Sequence, residues 1–96
     1  MKSREDILAQ LRELKGWLRT RYKVHSVSLF GSYARCQQTA ESDVDILVDV
    51  DPSIGLAFVD MAEEIEQHLG IKADVVPVDA VKPRYWRLIE KDIIHV

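Results

Sequence analysis

Apolar residues recur along "SREDILAQLRELKGWLRTRY" at Ile7, Leu11, Leu14 and Leu18. Spacings of four, three and four put them on one face of a helix, predicted from Ser3 to Tyr22. Ser3 can cap that helix, and Asp6 stands three residues later where a capping-box partner belongs. Gly16 weakens the pattern's continuity. Arg19, Arg21 and Lys23 cluster at the end, where cations complement the helix dipole. "VHSVSLF" is β-branched and aromatic and predicts a strand, with Val27 and Leu29 on one face and Gly31 as its stop. "SYAR" predicts a short helix with Ser32 at its start, and "CQQTAES" a polar loop. "DVDILVDV" reads as the second strand and "DPSIG" as a turn. In "LAFVDMAEEIEQHLG" the spacing puts Phe58, Ala62, Ile65 and Leu69 on one helical face, with Gly70 as the stop. "IKADVVPV" is a third strand, and Pro77 marks its end or a sheet edge. "DAVKPRYWRLIEK" predicts a final helix with Pro83 in its first turn, and "DIIHV" a short closing strand.

Helices alternating with strands describe an α/β (α+β) layer, a sheet flanked by helices. The 96 residues leave room for one domain, expected over 1–96, with one modest core. Hydrophobic residues at 47% and charged residues at 30% describe a globular chain. A net charge of -3 argues against a surface built to track phosphates, so no direct nucleic-acid partner is expected. Cys36 is the single cysteine, which excludes an internal disulfide and reads as a small turn residue. No apolar run approaches the roughly 18 residues of a membrane span. The expectation is a cytoplasmic protein with no membrane partner.

The second strand departs from an ordinary buried strand. Side chains alternate, so Asp43 and Asp45 point to one face with Cα atoms about 6.5–7 Å apart, while Val44, Ile46 and Val48 enter the core. Two like charges on one face repel unless a cation sits between them. Hard, oxygen-loving Mg²⁺ suits carboxylates and brings phosphates as further ligands. An Asp-x-Asp pair at a strand edge can also be a plain solvated face, and Asp49 and Asp51 read that way. Gly31 and Ser32 shift the balance, because a glycine ending a strand and a serine opening a helix present N–H groups and a hydroxyl to an anion. Asp74, between apolar residues of the third strand, joins the same face if that strand lies beside the second.

Gly31-Ser32, ten residues, then Asp43-Val44-Asp45 form the spacing GS-x10-DxD. It resembles the nucleotidyltransferases of the DNA polymerase beta superfamily, and the short chain resembles their minimal branch. Cys36 departs from the pattern, standing where many relatives have glycine. The resemblance implies a mixed sheet with flanking helices. It implies that Asp43, Asp45 and Asp74 hold two Mg²⁺ ions, that Gly31 and Ser32 seat the terminal phosphates of ATP, and that Arg35 can contact phosphate. It also implies a partner. Minimal nucleotidyltransferases of this kind pair with a HEPN-domain RNase toxin and transfer AMP from ATP to a toxin tyrosine, acting as the antitoxin of a hetero-oligomer. Two alternatives stand beside this reading. One is an antitoxin that only masks its partner; the other is an enzyme acting on a small-molecule hydroxyl.

His25, His68 and His95 have no metal-ligand spacing and read as structural. Trp17 and Trp86 read as packing residues. Tyr85 and Trp86, beside Arg84 and Arg87, also have the composition of a partner surface.

Overall fold

In a computed structural model, which describes residues 1–96, helix α1 spans Arg4–Tyr22. The Ser3 hydroxyl accepts from the Asp6 N–H at 3.1 Å, and the Asp6 carboxylate accepts from the Ser3 N–H at 2.9 Å. This reciprocal cap satisfies two otherwise orphaned donors. The helix runs through Gly16 without a break. It ends at Lys23, which takes up a left-handed conformation with φ 55°. Ile7, Leu8, Leu11, Leu14, Leu18 and Tyr22 are buried along its inner face.

Four strands follow: β1 Val24–Phe30, β2 Val44–Val50, β3 Ala73–Pro77 and β4 Ile94–His95. Their order is β3-β2-β1-β4. β1 runs antiparallel to β2 and to β4, and β2 runs parallel to β3. A parallel pair needs a crossover, supplied here by helix α3, Ala57–Leu69. The sheet is therefore mixed, with β3 and β4 at its edges. Pro77 ends β3 on one of those edges, where a residue without an N–H is tolerated.

Period-two alternation builds the core. Val44, Ile46, Val48 and Val50 of β2 join Val24, Val27 and Leu29 of β1 against α1 and α3. From α3 the buried side chains are Met61, Ile65 and Leu69. This corrects the predicted face: Phe58 and Ala62 lie at its margin, and Met61 takes the central place. The other sheet face carries Asp45, Leu47 and Asp49. Past Pro77 the chain forms a 3-10 turn, Val78–Ala80, against β2. It then returns through helix α4, Pro83–Ile89, and a second 3-10 turn, Glu90–Asp92, to β4 beyond β1. On this second face, against which the Val78–Ala80 turn packs, Leu47 is buried. α4 is shorter than its apolar pattern predicted, because Pro83 sets its start and the flanking residues tighten into 3-10 turns. It has no fully buried residue. No helix is long and apolar enough to cross a membrane.

Candidate active site

Strand β1 delivers Phe30 opposite Asp45 of β2. On the other side of β2, Asp45 is the register partner of Asp74 in β3. Neighbouring strands lie about 4.8 Å apart, so the two carboxylates sit side by side on the face away from α1 and α3. Asp43 precedes β2 by one residue and shares the parity of Asp45. It is half-buried, as is Asp45, while Asp74 is exposed on the edge.

At the end of β1 the chain turns at Gly31, φ 75°, into the short helix α2, Gly31–Ala34. A Cβ added to Gly31 would stand 2.9 Å from the Asp45 carboxyl carbon and nearer still to one of its oxygens. The carboxylate thus lies directly on bare backbone, and both the space and the positive φ demand glycine. Half-buried Ser32 follows. The turn closes with the Gln37 N–H donating to the Ser32 carbonyl at 2.9 Å. Cys36, in the same turn, has φ 57°. This explains why its departure from glycine is conspicuous: a residue with a side chain holds a left-handed position that glycine takes more cheaply.

The electrostatics tie the cluster together. The Asp45 carboxyl is pushed above its ordinary range, first by burial, then by the charge of Asp74, then by that of Asp43. The Arg35 guanidinium pulls in the opposite direction. A half-buried carboxyl whose charge is disfavoured by burial and by two neighbouring carboxylates is a setting that a cation relieves. As the side chains stand, no three of them close on a point as ligands of one ion. The donor chemistry, carboxylate oxygens without sulfur or imidazole, fits a hard divalent ion.

Arg35 caps the C-terminus of α2 and is exposed. Its Nη1 pairs with Asp92 at 3.1 Å, and its Nε donates to Gln37 at 3.1 Å. Asp92 carried no signal in the sequence, since it lies 57 positions away. The three histidines stay apart and exposed. His95 Nδ1 meets the Ser28 hydroxyl at 2.9 Å, and His68 tilts against Trp17. Trp17 is half-buried edge-on to Tyr22. Trp86 is half-buried, and Arg84 stacks over the exposed ring of Tyr85 at 5.1 Å. The surface hollows lie elsewhere: one beside Trp17 and His68, one beside Trp86, and one at Arg21 and Ile54. None of these hollows includes Asp43, Asp45 or Asp74.

The nucleotidyltransferase domain family matches residues 11–95, and the chain belongs to that family. The domain is a nucleotidyltransferase. A protein of Methanocaldococcus jannaschii, provisionally named a protein adenylyltransferase, is 41% identical over the full length of both chains. Protein adenylyltransferase MntA of Thermococcus cleftensis is 35% identical over 96% of this chain and 94% of its own. Among solved structures, one described provisionally as a minimal nucleotidyltransferase superposes with TM-score 0.82 at 23% identity, covering 97% of this chain and 95% of its own. A toxin–antitoxin structure with AMP-PNP superposes with TM-score 0.59 at 26% identity, covering 84% of this chain and 61% of the other.

Proposed function

We propose that the chain, acting over residues 1–96 as one catalytic domain, is a Mg²⁺-dependent protein adenylyltransferase. It transfers AMP from ATP to a tyrosine hydroxyl of a partner HEPN RNase toxin and so neutralises it. The carrying observation is the carboxylate cluster: Asp45 beside Asp74 in register, Asp43 adjacent, and Asp45 resting on the bare backbone of Gly31. Asp43, Asp45 and Asp74 are the ligands for two Mg²⁺ ions, which when bound supply charge neutralisation to the phosphates. Gly31 and Ser32 seat the terminal phosphates through N–H groups and the Ser32 hydroxyl. Arg35 donates to a phosphate oxygen. Asp74, the most exposed of the three carboxylates, is the one an acceptor hydroxyl reaches from solution, and it takes up the proton. The acceptor oxygen then bonds to the α-phosphorus, the bond to the bridging oxygen breaks, and pyrophosphate leaves. Most of the acceleration comes from positioning and from dispersal of developing charge.

Asp74, exposed on the sheet edge, is within reach of a macromolecular acceptor. The names of the relatives also support a protein acceptor. The exposed basic and aromatic face of α4 has the composition to receive it. A reducing cytoplasm suits the exposed free Cys36.

Intact-mass spectrometry tests the proposal. The neighbouring gene's product, a HEPN protein on this reading, is incubated with the chain, Mg²⁺ and each nucleoside triphosphate. A gain of AMP from ATP, mapped to tyrosine and absent with Asp43→Ala/Asp45→Ala, is expected. Tight binding with no gain in mass would instead leave an antitoxin that masks its partner.

A further inference from the structure

Asp92 reaches the site through the register of the edge strand. Ile94 of β4 pairs with Leu29 of β1, two residues before Gly31. The antiparallel direction carries the residues just before Ile94 toward the Gly31 end of the sheet. The 3-10 turn Glu90–Asp92 therefore lies beside α2, and Asp92 meets Arg35 there. The Asp92 side chain is 21% exposed and that of Arg35 43%. Arg35 is a long side chain with many rotamers to lose when it binds a ligand. Two anchors remove much of that freedom before any ligand arrives: Asp92 on Nη1 and Gln37 on Nε. The structure's hydrogen bonds leave Nη2 unused. The guanidinium also lies within electrostatic reach of Asp45.

We propose that Asp92 is a positioning residue for nucleotide binding: it holds the Arg35 guanidinium in place so that its free edge meets the nucleotide's phosphates. The inference rests on the proposed function, because it needs phosphates at Gly31 and Ser32. Planar guanidinium recognition depends on orientation, and a fixed fork binds phosphate better than a wandering one. Asp92 touches neither nucleotide nor acceptor. Its effect passes wholly through Arg35, which makes the two residues non-additive.

The test measures the affinity of the purified protein for AMP-PNP with Mg²⁺ by isothermal titration calorimetry. Asp92→Asn is expected to weaken binding about two- to five-fold, within the range for a partly exposed ion pair. Asp92→Glu is expected to recover most of the loss. Arg35→Ala is expected to weaken binding at least as much, and adding Asp92→Asn to it to cause no further loss. Thermal melts of the same variants check that the fold is intact. Unchanged or tighter binding by Asp92→Asn would overturn the inference, with tighter binding meaning that Asp92 competes with phosphate for the guanidinium. A further loss in the Arg35→Ala background would overturn it too. A wild-type protein that binds no nucleotide would overturn the proposed function as well, whereas wild-type binding with an indifferent Asp92→Asn removes this inference alone.

Discussion

Asp45 is placed where ionisation is costly. Its carboxyl titrates above its ordinary value of 3.8, because burial and then Asp74 and Asp43 disfavour the charge. A carboxyl whose pKa rises on folding holds its proton more tightly in the folded state. The folded state is therefore favoured below the ordinary value, and that advantage is lost as pH rises through the folded value. Asp45→Asn removes the charge. At pH 7 the variant is expected to melt higher than the wild type, with the gap closing as pH falls through the carboxylate range, while nucleotide transfer is lost. Melts at pH 7 and below pH 4, taken without divalent ions, check this. Much at this scale was legible in the sequence, since the fixed spacing from Gly31 to Asp43 and Asp45 names residues without a fold. The need for glycine at 31 was legible only in part: a turn was evident, but the contact with Asp45 joins two strands and exists only in the folded chain.

At the scale of elements, pattern and composition located the four strands and four α-helices but not the 3-10 turns, and the cap at Ser3 and Asp6 was readable residue by residue. The inner face of α3 was not. Phe58, Ala62, Ile65 and Leu69 share a stripe with Met61, and the choice of centre depends on where α1 and the sheet press against the helix, which local spacing does not encode. Met61 is fully buried, whereas Val59, two residues earlier, is 56% exposed. Met61→Ala is therefore expected to cost about 2–5 kcal/mol by urea denaturation. Val59→Ala should change stability by less than about 0.5 kcal/mol. Equal effects would mean that the helix presents a different face to the core.

Across the whole molecule, the sequence implied a mixed sheet through its family resemblance, but strand order and register emerge only from the fold. The Arg35–Asp92 pair follows from that register and has no local signature. If nucleotide and Mg²⁺ bind the folded chain alone, their free energy adds to its stability, by about 2.7 kcal/mol at a hundred times the dissociation constant. In a domain of this size that corresponds to a rise in Tm of roughly 10–20 °C. Differential scanning fluorimetry should show that rise with ATP and Mg²⁺ together, and no rise for Asp43→Ala/Asp45→Ala. The place of β3 at the sheet margin carries a last consequence, for solubility. A bare strand edge invites another chain to add to it, and "VVPV" beside Asp74 is apolar. Asp74 and Pro77 stand as a charge and a missing donor on that edge, the two devices that discourage such growth. The carboxylate proposed to serve the reaction thus also guards against aggregation, and a neutral replacement at 74 would expose a longer sticky margin along with a weakened site.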